Sequence, residues 1–269
     1  MGLFQKRPAL EREWDRLERQ ESQFLSSRAA KRETRLNQVL EEKVPEKLQD
    51  TLNAAFAKAF SLIFEKGTTV IEKTYNRDEM EKNFLVNEYT ADIKKDYKSL
   101  RTFSRNAGRA GAKNLFLTGA SGVGMGLFGI GLPDIPLFTG ILLKNIYEIA
   151  MNYGYKYESE EERYWILLLI QGAVSYGERM LKIDKEVNLY MDSRVCPTGY
   201  SKGQMIHETA MCLSGEILYM KFLQGIPVVG AVGGAYDVVY LKRVAEYAEL
   251  KYRRRFYQDK YGDRFFDNL

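Results

Sequence analysis

The stretch Asn114–Leu143 reads NLFLTGASGVGMGLFGIGLPDIPLFTGILL. It contains no Lys, Arg or Glu, and its one acid is Asp134. Two readings compete for it, a phosphate-cradling loop and a glycine-faced helix, and they lead to different folds. A P-loop needs G-x-x-x-x-G-K-[ST]. Gly119 and Gly124 have that separation, but Met125 stands where the lysine belongs and Gly126 where the metal-binding hydroxyl belongs, so the clamp on phosphate is missing. Thr118–Met125 also resembles the T-G-x-x-x-G-x-G turn of short-chain dehydrogenases, yet Val123 and Met125 occupy its last two glycine positions. Gly124, Gly126 and Gly129 do satisfy a bare G-x-G-x-x-G, and Tyr247 and Lys251 a Y-x-x-x-K. Neither is surrounded by the alternating strands and helices that a dinucleotide fold requires.

Helical spacing accounts for the glycines better. Gly108, Gly111, Gly119, Gly122, Gly126 and Gly129 succeed one another at steps of 3, 8, 3, 4 and 3, which puts them on one face of a helix. Each glycine in a helix costs about 1 kcal/mol against alanine, so such a face implies close approach of another backbone. A second stretch, Gly225–Leu241 (GIPVVGAVGGAYDVVYL), sets Gly230, Gly233 or Gly234, and Asp237 on a shared face. The expectation is an all-α fold, a compact multi-helix bundle with two glycine-rich helices packed together. Asn114–Leu132 is long enough to cross a bilayer, but its six glycines leave it weakly apolar, and Pro133 and Pro136 break the segment beyond it. A buried glycine-packed helix is expected rather than a span.

Outward from this centre, Pro8–Val44 reads as a long charged helix with a narrow stripe of Leu10, Trp14, Leu17, Phe24, Leu25, Leu36, Val39 and Leu40. Residues 1–43 are expected to form a helical extension and residues 44–269 the main domain. Pro45 opens a core helix whose broad face carries Leu48, Leu52, Phe56, Phe60 and Ile63. Glu79–Leu100 reads as a helix with Phe84, Leu85, Tyr89, Ile93 and Tyr97 inward. Ser159–Glu162 fits a capping box that starts the buried helix through WILLLI, Trp165–Ile170.

Composition limits the function. The chain has 269 residues, 45% hydrophobic and 28% charged, with net charge +4. That describes a folded globular protein, too weakly basic to point to nucleic acid. Cys196, Cys212 and the single His207 build neither a disulfide framework nor a zinc site, so a reducing, cytoplasmic setting is expected, with no metal or other cofactor. The charged N-terminus lacks a secretory h-region, and Lys6 replaces the hydroxyl residue a myristoylation motif needs.

The order Val44-Pro45-Glu-Lys-Leu48, the glycine run ending in Pro133-Asp134-Ile-Pro136, Ile146–Tyr155 (IYEIAMNYGY) and Ile226–Gly233 (IPVVGAVG) resembles the EcsC protein family over roughly Val44 to Phe256. That resemblance implies a mostly helical bacterial protein of unknown biochemical activity, at the cytoplasmic membrane face or with an ABC transporter. Asp237 stands where the family pattern favours asparagine, and Ile183–Gln204 fits that pattern poorly.

The polar candidates can then be weighed. Asp134 precedes the helix Leu137–Asn152 and is placed to cap it, with ligand binding as the alternative. Glu148 lies fourteen residues on, about 21 Å along a helix, too far to pair with Asp134. Asp237 could approach either carboxylate from the second glycine stretch, and Lys144 sits one turn before Glu148 as an ion-pair partner. His207 beside Glu208 reads as a helical surface residue. In the C-terminal helix, Lys242, Arg243, Lys251, Arg253, Arg254 and Arg255 alternate with Tyr247, Tyr252, Phe256 and Tyr257, a pattern suited to a membrane interface. The leading expectation is a non-enzymatic accessory protein, peripheral at the cytoplasmic membrane or an ABC transporter, with Arg253, Arg254 and Arg255 meeting lipid. The alternative is an enzyme or small-ligand-binding protein with a pocket between the glycine helices, using Asp134, Glu148, Asp237 and Lys144.

Overall fold

The computed structural model describes residues 8–29, 46–67, 75–110, 135–223 and 233–265. Its helices are α1 (Ala9–Ala29), α2 (Glu46–Leu62), α3 (Arg77–Lys94), α4 (97–110), α5 (Ile135–Asn152), α6 (Glu160–Val174), α7 (Gly177–Ser193), α8 (Lys202–Leu223) and α9 (Gly233–Phe265). A π-helical turn, Ile63–Gly67, continues α2. No strand occurs among the described residues, so the all-α expectation holds and the dehydrogenase reading fails for want of a sheet.

Two apolar helices and one long one organise the packing. α5 buries Phe138, Leu142, Leu143, Ile146 and Ile149, and α6 buries every residue from Tyr164 to Val174. A helix apolar all round has to sit inside. Accordingly, α6 is enclosed by α7, α8 and α9, while α5 is covered by α2, α3 and α9. α9 runs 33 residues, about 50 Å, and forms a spine along α5, α6 and α1. The core is rich in aromatics. Trp165 meets Tyr252 edge-on at 4.7 Å, Tyr147 stacks on Tyr157 at 4.0 Å, and Phe103 lies 4.7 Å from Phe256. The Trp165 indole N–H donates to the Val187 carbonyl at 3.1 Å, so burying this ring strands no polar atom.

Local chemistry sets the helix ends. Asn76 accepts from the Glu79 amide at 3.0 Å, Asp96 from the Ser99 amide at 2.7 Å, and Ser159 from the Glu162 amide at 3.1 Å; each satisfies a first-turn N–H. α5 ends in a Schellman motif, with Gly154 donating to Met151 at 3.0 Å and Tyr155 to Ala150 at 2.9 Å. Gly154 has φ +82°, and the Phe84 ring fills the space where a Cβ would stand. Gly172 plays a different part: a Cβ there would lie 2.8 Å from the Tyr247 ring.

The helix at Pro8–Val44 is described as far as Ala29. It lies across α7 and α9, with Trp14, Leu17 and Phe24 in the same core as the rest. α3 departs from expectation. Phe84 and Ala91 turn inward, but Leu85, Tyr89 and Ile93 face outward. The face toward α5 is set by Phe84 packing on Phe103 and Phe256 at 6.0 and 6.2 Å, and a helix cannot bury two opposed stripes against one partner. Tyr97 is half-buried beneath Arg12, 4.4 Å from its ring. The glycine run 111–134 and residues 224–232 lie outside the described residues, and the expected packing of two glycine faces lies outside them too.

Candidate functional site

α9 carries the basic residues that its sequence suggested for a membrane, and Arg253, Arg254 and Arg255 among them are tied to neighbouring side chains. Arg253 is 1% exposed. It donates to Gln20 Oε1 at 2.7 Å and pairs with Glu249 at 3.5 Å. Burial works against its charge, but the neighbouring carboxylate holds the guanidinium above its ordinary value. Glu249 accepts from the Tyr153 hydroxyl at 2.6 Å, and burial raises its carboxyl despite Arg253. Arg254 binds Glu21 through Nε at 2.7 Å and lies over the Trp14 ring at 4.8 Å. Arg255 reaches both oxygens of Glu162, at 2.9 and 2.7 Å. The three arginines therefore join α9 to α1 and α6 and do not form an exposed cationic face. Placing a guanidinium in a protein interior is tolerable only with such partners.

One turn earlier, Tyr247 and Lys251 converge on Asp184 of α7. The hydroxyl donates at 2.6 Å and the ammonium sits at 2.8 Å. Lys251 also donates to Asn188 at 2.8 Å and pairs with Glu21 at 3.4 Å. The Y-x-x-x-K spacing thus marks two residues that do meet, around a carboxylate and without a nucleotide fold. Beside them a cleft of about 620 Å³ opens between α1, α7 and α9, lined by Glu18, Glu21, Asp184, Asp192, Lys251 and Arg254.

The other candidates separate. Glu148 is 7% exposed and pairs with Lys144 at 4.0 Å within α5, so an i,i+4 ion pair forms there. Asp134 lies outside the described residues. Asp237 falls in the first turns of α9, but its side chain is likewise outside them. His207 is exposed on α8. The Ser159 cap forms, but Glu162 does not return to close the box; its carboxylate turns to Arg255 and to the Tyr252 hydroxyl at 2.7 Å. Burial of Cys212, 3.0 Å from Arg179, raises its thiol.

The outward row of α3 is the feature that periodicity misassigns. Leu85 is 56% exposed, Val86 63%, Tyr89 69% and Ile93 62%, and exposed Lys82 lies on the same side by helical spacing. Lys94, Lys95, Lys98, Arg101, Arg105 and Arg109 come next, all exposed. The acids among them are occupied. Asp92 pairs with Lys260 at 3.0 Å, and Asp96 caps α4, its carboxyl lowered first by the Ser99 hydroxyl. The clue in the sequence is a surplus: Phe84 and Ala91 already supply an inward stripe, leaving Leu85, Tyr89 and Ile93 without a place in the core. Among the described residues, no helix is long and apolar enough to cross a membrane.

An uncharacterized protein, YdbA of Bacillus subtilis (strain 168), is 30% identical over 138 residues, 50% of this chain and 49% of that protein. The chain therefore aligns with about half the length of that relative. No solved structure matches. The model of the EcsC protein family matches residues 10–256, from the start of α1 to the buried stretch of α9. This chain belongs to the EcsC protein family.

Proposed function

We propose that the protein is a non-enzymatic accessory factor that docks on the anionic cytoplasmic face of the membrane through the outward side of α3. The observation that carries this reading is the row Leu85, Val86, Tyr89 and Ile93, each more than half exposed. Four large apolar side chains in register on a surface helix are costly in water, and an interfacial helix lays such a face at the boundary of headgroups and acyl chains. Tyrosine suits that depth because its ring is apolar and its hydroxyl polar. Lys94, Lys95, Lys98 and Arg101 supply the electrostatic half, each basic residue near an anionic surface contributing about 1 kcal/mol.

Co-sedimentation with vesicles of phosphatidylglycerol in phosphatidylcholine tests the reading. Wild type is expected in the pellet, less so as salt rises. Leu85, Tyr89 and Ile93 changed together to Ser, or Lys94, Lys95 and Lys98 changed together to Gln, are expected to leave it in the supernatant. Wild type that stays soluble with anionic vesicles overturns the reading. So does recruitment only when an ABC transporter is reconstituted, which would put a protein partner in place of lipid.

A further inference from the structure

We infer that Arg12 of α1 and Arg101 of α4 form a headgroup site at the end of the α3 row, and that it takes the terminal phosphate of a phosphomonoester lipid such as phosphatidate. This site rests on the membrane reading above and names its lipid. The two guanidiniums meet on one ring: Arg12 lies 4.4 Å and Arg101 5.4 Å from the centre of Tyr97. The ring attracts both cations but does not neutralise them. Among the described residues, no carboxylate hydrogen-bonds either guanidinium. Glu13, paired with Arg101 at 3.9 Å, is 0% exposed, and neither of its oxygens accepts a hydrogen bond. The donors of Arg12 and Arg101 are therefore left for an anion from solvent, and both residues are exposed.

The surroundings are cationic. Residues 97–110 carry Lys98, Arg101, Arg105 and Arg109 and no acid. Steps of 3, 4 and 4 put these four on one side of α4, and all four are exposed. Arg16, one turn after Arg12, adds to the same flank of α1 and pairs with Glu13 at 3.6 Å. Glu11 and Asp15 stand two positions from Glu13 and so fall on the opposite flank of the helix, away from α4. Asp96 is engaged by the Ser99 amide and hydroxyl at 2.7 and 2.6 Å.

Continuity with α3 favours a lipid as the source of the phosphate. Ile93 ends the apolar row, and Lys94, Lys95, Asp96 and Tyr97 follow it directly. A helix docked through that row lies at the boundary of headgroups and acyl chains, which brings the Tyr97 corner to headgroup depth. Each guanidinium can give two parallel N–H bonds to a phosphate. Two guanidiniums on one phosphate need more acceptors than the two free oxygens of a diester. A monoester offers three and carries more charge.

Co-sedimentation of the full chain with phosphatidylcholine vesicles that hold phosphatidate or phosphatidylglycerol, matched in surface potential, reads the preference. Wild type is expected to bind the phosphatidate vesicles about five-fold more tightly, through the added charge-assisted hydrogen bonds. Arg12→Gln should bring the two lipids level. So should Arg12→Lys, which keeps the charge but loses the fork. Equal binding of wild type to the two lipids, or a preference that survives either substitution, overturns the site and leaves docking through α3 standing. Inorganic phosphate bound as tightly as phosphatidate vesicles, or single-stranded RNA bound more tightly, gives the surface another occupant and overturns it too. A phosphatidate preference that persists with Leu85, Tyr89 and Ile93 changed together to Ser supports the site and removes the α3 row instead. Wild type that binds neither lipid removes both.

Discussion

The Arg255 guanidinium holds the Glu162 carboxylate through Nη1, at 2.9 and 2.7 Å from its two oxygens, and so joins the C-terminal helix to the first turn of α6. Glu162 is 3% exposed, and the Tyr252 hydroxyl completes its shell at 2.7 Å. Arg255 lies 4.1 Å from the Tyr155 ring and 4.9 Å from Trp165. Truncating one partner of such a pair leaves the other charged in a low-dielectric site. Glu162→Ala is expected to destabilise the protein by about 3–5 kcal/mol. Removing Arg194, whose partner Asp259 is well exposed, should cost no more than about 1 kcal/mol. Denaturant titration of the two variants measures the contrast; equal costs would mean that Glu162 is hydrated.

The two classes of glycine should respond oppositely to alanine. At Gly172 a new Cβ meets the Tyr247 ring at 2.8 Å, and that ring is held by Asp184 and Phe24. Gly172→Ala should therefore cost about 1–3 kcal/mol. Gly215, inside α8, has nothing within 4 Å of its would-be Cβ. Gly215→Ala should stabilise by about 0.5–1 kcal/mol through helix propensity. Thermal melts would check both signs.

Alkaline pH should unfold the protein through its tyrosines. Burial pushes Tyr164 and Tyr176 up to about 12. A phenol with a raised value in the folded state binds its proton more tightly there than in the unfolded chain. The resulting stability is full below about 10, the ordinary phenol value, and is lost as pH rises through about 12. The melting temperature is expected to fall across that window, and less so in the Tyr164→Phe and Tyr176→Phe variants. A melting temperature that stays level across that window would contradict it.

Changing Leu85, Val86, Tyr89 and Ile93 to Ser should leave stability within about 0.5 kcal/mol per site, because each side chain already faces solvent. A large loss of stability, read by denaturant titration, would mean that α3 buries this face in solution. The same variants then serve as clean tests of vesicle binding.

How far the sequence alone reached can be judged element by element. WILLLI announced a buried helix because a run apolar on every side has nowhere else to go, and Trp165 to Ile170 are buried. Ser159 announced a helix start because its hydroxyl needs only the local backbone. The α1 stripe of Trp14, Leu17 and Phe24 was equally legible. α3 was not, because Leu85, Tyr89 and Ile93 are as apolar as Phe84 and periodicity cannot say which stripe meets a partner.

The same division explains the arginines. Composition and spacing determined an all-α chain, the helix start at Ser159, and a C-terminal helix alternating basic and aromatic residues; they ran Glu79–Leu100 together as one helix, which the structure breaks at Lys95 and Asp96. Tertiary structure decided where that alternation points. Glu21 lies 233 residues from Arg254 and Glu162 lies 93 from Arg255. A cation reads as a surface residue until the fold brings a carboxylate to it. Only packing can do that, since an isolated charge carries a desolvation cost that a partner at hydrogen-bond distance offsets.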